Sequence, residues 1–193
     1  MGHKAIWRAP EHARRALWAA AGYDPSPEQA AAHLDPSRAR LVAGGERAGK
    51  SRWTGQEVHD WCWASRDGEI WIVGPTYDLA RGDFLHALTV AATTGILVPG
   101  SQSVPAQGQC QFTTVNNVKV ITRTSKDPET LASIAPIGIA MAEAAQQSLE
   151  VYLRLRGRVA ERRGPIVLSG TFEGSLGWYP ELWQRWQADN PDE

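Results

Sequence analysis

"LVAGGERAGKSRW", residues 41–53, joins a short apolar run to a helical pattern through a glycine-rich turn. Within it Gly44, four residues, Gly49, Lys50 and Ser51 match G-x-x-x-x-G-K-[ST] at every fixed position. That spacing has a physical reason. Gly44, Gly45 and Gly49 let the backbone turn its N–H groups inward, where β-carbons would obstruct them, and the helix N-terminus adds its own amides. Such a nest holds phosphate oxygens. Lys50 reaches the β- and γ-phosphates as a movable charge, and the Ser51 hydroxyl ligates magnesium. The expected nucleotide-binding set is Gly44, Gly45, Glu46, Arg47, Ala48, Gly49, Lys50, Ser51 and Arg52.

The flanks suit that reading. "ARLVA" supplies a strand before the loop, and residues 50–64 continue as a helix. Further on, "EIWIVGP" (69–75), "IGIAMA" (137–142) and "GPIVLSGT" (164–171) are short and apolar throughout, as strands buried on both faces should be. Between them, residues 77–92 and 144–157 read as helices, the second closed by Gly157, and "PETLAS" (128–133) as a helical turn. "QCQFTTVNNVKVITR" (109–123) alternates about Asn116-Asn117, a hairpin signal because Asn tolerates positive φ. Helices are also expected over 11–21 and 27–34, with Pro27 at a first helical position, and over 178–187. The expected fold class is α/β: a mainly parallel sheet with helices on both faces and a β-hairpin insertion.

Composition narrows the class. At 42% hydrophobic and 21% charged residues this is a globular chain, and a net charge of −1 excludes a blanket positive field while leaving room for a basic patch. Cys62 and Cys110 form no CxxC pair, so both are expected to be buried thiols in a reducing compartment. His3, His12, His33, His59 and His86 show no ligand spacing, which argues against a structural metal. No apolar run reaches the roughly 20 residues of a membrane span, and no signal-peptide h-region opens the chain; a cytoplasmic protein is expected. Trp53, Trp61 and Trp63 lie close together, and Trp183 and Trp186 share a helix face; large core side chains account for them, and base stacking is the alternative.

A phosphate loop is shared by GTPases, small-molecule kinases and motor ATPases. The strand at 137–142 separates them, because it ends on a single acid, Glu143. In additional-strand (ASCE) ATPases the strand facing the phosphates ends Asp-Glu, the Asp serving the magnesium shell and the Glu polarising the attacking water. Here the pair is Ala142-Glu143, so the base has its residue and the metal role does not. The competing reading makes Glu143 a simple strand-end acid.

Taken together the motifs resemble the ATPase domain of a tailed-bacteriophage large terminase subunit, a DNA-packaging motor, over about residues 23–186. "YDPSPEQ" is similar to that family's adenine motif, which implies Gln29 on the base. "VAGGERAGKS" is similar to its phosphate loop with an internal arginine, implying Arg47 as a catalytic residue beside Lys50 and Glu143. "VLSGT" resembles its coupling motif, placing Ser169, Gly170 and Thr171 at a γ-phosphate sensor. The resemblance implies ATP and Mg²⁺ as ligands, double-stranded DNA as cargo, and a homo-oligomeric ring on a portal with a small terminase subunit, in the host cytoplasm and away from membranes. It divides the chain, read as one domain over 1–193, into a helical and adenine-motif segment (1–36) and an ATPase core (37–187). The family's C-terminal nuclease domain is expected to be absent, and the domain alone to be monomeric.

Two departures stand out. Ala142 replaces the metal-shell Asp, and Leu131-Ala132-Ser133 stands where the family carries an arginine, which leaves a finger in trans unassigned, with Arg123 as one candidate. Arg154, Arg156, Arg158, Arg162 and Arg163 crowd one stretch, either a solvated helix end or a DNA- or subunit-facing patch. A helicase-like ATPase, or a nucleotide-binding assembly module with weak hydrolysis, are the other functional readings; a small-molecule kinase explains neither Glu143 nor the turn at Ser169–Thr171.

Overall fold

In the run Gly68–Gly74 (β2), Ile70 and Ile72 point to one face of a sheet and Trp71 and Val73 to the other, and all four are fully buried. Only a strand covered on both sides can do this. The computed structural model describes residues 9–126, 131, 134–172 and 177–188. Six strands build the sheet: Ala39–Ala43 (β1), β2, Gln111–Thr113 (β3), Val118–Thr124 (β4), Gly138–Met141 (β5) and Ile166–Gly170 (β6). Their order is β1-β6-β5-β2-β4-β3, parallel throughout except where β3 pairs antiparallel with β4. The expected hairpin is that exception, and Asn117 at its turn has φ 59°. By its position it caps the sheet edge.

Helices Lys50–Ala64 (α3) and Tyr77–Thr93 (α4) cover one face, packing Trp53, Trp61, Phe84 and Ala87 over Ile70, Ile72 and Val120. Leu149–Ala160 (α5) and Trp178–Ala188 (α6) cover the other, setting Tyr152, Leu155 and Tyr179 over Trp71, Ile139 and Leu168. Glu11–Ala20 (α1) and Pro27–Leu34 (α2) lie before β1. Ser26 and Gln29 cap α2 reciprocally, with Pro27 just inside, so a helix of only 8 residues starts cleanly. None of the described helices is long and apolar enough to cross a membrane.

One expected helix is divided. Instead of running 144–157, the chain makes a 3-10 turn at Ala144–Gln146, re-caps on Ser148 and continues as α5 through Gly157 to Ala160. Glu143 enters the turn from the left-handed region (φ 47°, ψ 49°), and Gln147, extended at φ −104° and ψ 155°, ends it before the next cap. Buried Gln147 fixes the break by donating from Nε2 to the carbonyls of Val73 (3.1 Å) and Ala142 (2.9 Å). At Gly157, burial of Tyr152, Leu155 and Val159 outweighs the ~1 kcal/mol propensity cost of glycine. The turn expected at 128–133 lies, apart from Leu131, outside the described residues.

The tryptophans divide too. Trp53, Trp61 and Trp71 are core, whereas Trp63 and Trp183 are 42% and 37% exposed. Cys62 and Cys110 are buried free thiols, and burial pushes the Cys62 thiol well above its ordinary range.

Candidate nucleotide site

Sheet order assembles the site. β1, β6 and β5 are neighbours, so the loop after β1, the Ser169–Thr171 turn ending β6 and Glu143 beyond β5 emerge side by side at the carboxyl edge. Ligands of open parallel sheets sit at that edge. A cleft of about 720 Å³ lies there, lined by the loop residues Glu46–Arg52, by Leu79 and His86 of α4, and by Glu143, Gln146 and Thr171.

The loop is held at both ends. Gly44 N donates to Gly170 O (3.2 Å), and Gly49, the N-cap of α3, takes φ 80°. A β-carbon at Gly49 would lie 3.0 Å from Gln29 Nε2 as well as being strained, so two constraints fix glycine there. Arg47, exposed at the loop tip, is also left-handed at φ 60°. Lys50 donates from Nζ to the carbonyls of Gly44 (2.7 Å) and Gly45 (2.8 Å) and to Thr171 Oγ1 (3.0 Å). Thr171 in turn donates to Gly44 O (3.1 Å), so lysine, loop and β6 turn share one set of bonds. Ser169 points elsewhere: its hydroxyl is buried and donates to Met141 O (3.2 Å) on β5. Beside Gly170 packs Tyr179, whose hydroxyl reaches Val42 O (3.2 Å).

Gln29 stands behind the loop. Its Oε1 accepts from Ser26 N (3.1 Å), and its Nε2 donates to Ala48 O (3.2 Å). Both ends of the side chain are thus engaged in bracing α2 and the loop. Arg52, at the edge of the cleft, donates to Gly22 O (3.0 Å), its guanidinium 5.2 Å from the Tyr23 ring centroid.

No protein-family profile matches this chain, and no curated protein matches it by sequence. Solved structures do. The large terminase ATPase domain of Thermus phage P74-26 aligns with a TM-score of 0.70 at 21% identity, covering 86% of this chain and 71% of that one. The fold is that of the large terminase ATPase domains. The large terminase of a thermophilic bacteriophage aligns at 0.60 and 13% identity; the match takes in 76% of this chain but only 39% of that longer one. Complexes of that terminase with ADP and with ATP-γ-S give TM-scores of 0.59 and 0.57.

Against this terminase fold, two features of the site were absent from the sequence reading. The first is Asp83 of α4, 3% exposed, which faces Ser51 from the neighbouring helix. Its carboxyl is pushed up to about 6: burial raises it, the Ser51 hydroxyl opposes, the Glu143 charge raises it further, and Thr54 and Lys50 oppose. The Ser51 and Thr54 hydroxyls face this carboxyl, yet Asp83 Oδ2 and Thr54 Oγ1 make no hydrogen bond of full geometry among the described residues. A buried carboxylate oxygen beside the hydroxyl expected to ligate magnesium fits a divalent cation held with a nucleotide.

The second is a buried charge cluster where α1, α2 and β1 meet α3. Glu57, with no exposed surface, receives Arg14, Arg40 (2.5 Å) and His33 Nδ1 (2.5 Å). Asp60 accepts from Arg14 Nε (3.1 Å), Trp18 Nε1 (2.9 Å) and Gln56 Nε2 (2.8 Å). His33, Glu57 and Asp60 are close enough to share a metal ion, but the two guanidiniums occupy the carboxylate lone pairs, so the group is an ion-pair hub. Burial alone would raise the Glu57 carboxyl; Arg40, the His33 hydrogen bond and Arg14 outweigh it and hold it well below the usual carboxylate range. The apolar pattern does not announce this: Trp53, Val58, Trp61 and Cys62 span about half of the α3 circumference, yet all ten residues from Trp53 to Cys62 are buried and take their charges in with them.

Arg123 is not a free cation. It is 13% exposed, lies 3.6 Å from Glu69, and stacks 5.1 Å from the Trp71 ring centroid. Arg162 and Arg163 are exposed beyond α5, at the end of the sheet opposite the loop, while Arg154 and Arg158 pair with Glu150 and Glu161.

Proposed function

We propose that the domain binds ATP with Mg²⁺ at this cleft, hydrolyses it, and uses the cycle to translocate double-stranded DNA as a large-terminase motor. The observation carrying this reading is the convergence of Lys50, Thr171 and Glu143 on one cleft at the carboxyl edge of a terminase-type sheet. Lys50 would exchange its loop carbonyls for β- and γ-phosphate oxygens, with the backbone amides of residues 45–51 around them. Ser51 would hold the magnesium, which would neutralise charge on those oxygens. Glu143 takes a proton from the water that attacks the γ-phosphorus; the bond to the β-phosphate oxygen breaks, and ADP and phosphate leave. Arg47, at the loop tip, would face the transferring group, and Gln29 serves the adenine end by fixing the loop at Ala48. Loss of the γ-phosphate changes what Lys50 asks of Thr171, and the Ser169–Thr171 turn passes that change to β5 and α6.

By this reading the working motor is a homo-oligomeric ring on a portal, served by a small terminase subunit in the host cytoplasm. Ala142 favours a second reading, an assembly module that binds nucleotide and hydrolyses weakly. ATP turnover with and without DNA, beside nucleotide binding, separates the two. Glu143→Gln is expected to bind ATP normally and to turn over about 100-fold or more slowly. Equal turnover in both proteins would remove Glu143 as the base.

A further inference from the structure

Position 142, buried at the end of β5, offers a methyl group where a carboxylate is expected to serve the metal. A buried acid faces Ser51, the serine expected to ligate that metal, from another element. Gly55 of α3 meets α4 so closely that a β-carbon there would lie 2.5 Å from His86 Cβ and 2.8 Å from Ala87 N. One turn earlier on each helix stand Ser51 and Asp83, and a β-carbon at Gly82 would come within 3.7 Å of Ser51 Oγ. The glycine contact therefore sets Asp83 against the serine that opens α3. Asp83 is 3% exposed, and neither its Oδ2 nor the nearby Thr54 Oγ1 makes a hydrogen bond of full geometry among the described residues. Lys50 donates to Gly44, Gly45 and Thr171 rather than to Asp83. Buried carboxylates are kept where they are paired or hold a metal.

We propose that Asp83 supplies the carboxylate that position 142 lacks, acting with Ser51 to hold the magnesium that accompanies the nucleotide. The assignment rests on the nucleotide-site reading above and moves the acidic metal partner from a strand end to a helix. Asp83 is a metal-positioning residue here and takes no part in proton transfer.

The test is binding of a fluorescent ADP analogue with Mg²⁺ and with EDTA, for wild type, Asp83→Asn and Asp83→Asn/Ala142→Asp. Asparagine keeps the shape and an acceptor for Ser51 while removing the charge. Wild type is expected to bind more tightly with Mg²⁺. Asp83→Asn should bind as well as wild type in EDTA but lose about 10-fold or more of the Mg²⁺ enhancement, and Ala142→Asp should restore part of it. A wild-type Mg²⁺ enhancement in Asp83→Asn would overturn the Asp83 assignment alone. Wild type that binds no nucleotide under either condition would overturn the site reading and Asp83 with it. Should Asp83→Asn bind nothing in EDTA, the double variant decides: recovered Mg²⁺-dependent binding supports the assignment, and none overturns it.

Discussion

Replacing Glu57 by glutamine removes one charge from the interior and leaves the guanidiniums of Arg14 and Arg40 behind. Glu57 receives Arg14, Arg40 and His33 on its two oxygens with no surface exposed. Glutamine has one oxygen to offer, and its amide would point donors at whichever guanidinium lost its partner. Breaking one side of a buried pair costs about 3–5 kcal/mol, chiefly because an uncompensated charge stays behind. For a chain of this size that is a fall in Tm of roughly 6–20 °C. Thermal and urea unfolding at neutral pH measure it. The pH dependence gives an independent check. Facing Glu57 are Arg14 from α1, His33 from α2, Arg40 from β1 and Asp60 from its own helix. Because its carboxyl is held below the ordinary range, its contribution is fully present above the unfolded value of about 4.3 and fades as pH falls toward the folded value. The gap between wild type and Glu57→Gln should therefore be flat above about pH 5 and shrink below about pH 4. A gap under about 1 kcal/mol at pH 7, the worth of an exposed pair, would refute the account of a buried hub.

Gly55→Ala forces a β-carbon to 2.5 Å from His86 Cβ; overpacking of about 1–3 kcal/mol is expected, read as a lower urea midpoint. Gly49→Ala meets both φ 80° and Gln29; nucleotide affinity should fall in a binding titration, with a stability loss of about 1–2 kcal/mol. Thr171→Val removes one acceptor of the Lys50 ammonium and the donor to Gly44; ADP binding should be nearly unchanged while DNA-stimulated turnover drops, and equal stimulation would remove Thr171 from coupling.

What the sequence made legible was whatever is local. The glycine-rich loop, its strand and its helix are contiguous, so that turn could be placed between them from spacing alone. Short apolar strands alternating with helices fixed a parallel sheet, and the Asn116-Asn117 turn fixed its antiparallel edge. Strand order was not legible: that β6 lies between β1 and β5 depends on which faces bury best, yet this order brings Thr171 to Lys50. The break after Glu143 was missed because Gln147, read as part of a helix, bonds to Val73 on a different strand.

The two unforeseen features share one cause. Charges on a helical segment ordinarily lie on the solvated side, and Glu57, Asp60 and Asp83 read that way in sequence. Glu57 and Asp60 are buried because α3 is enclosed, by β-strands on one side, α4 on another, and α1 and α2 on a third, and Asp83 because it faces α3 from α4. An enclosed helix can keep a charge only if another element brings its partner, so each buried acid identifies an element that must be docked. Glu57 and Asp60 find theirs in arginines, which ties α1, α2 and β1 to the helix that begins with Lys50. Among the described residues Asp83 meets no guanidinium; the Ser51 and Thr54 hydroxyls and the Lys50 charge face it at the near edge of the cleft. The contrast between these acids, one set closed by protein charges and the other left open toward Ser51, is the physical reason to look for a cation at the second and not at the first.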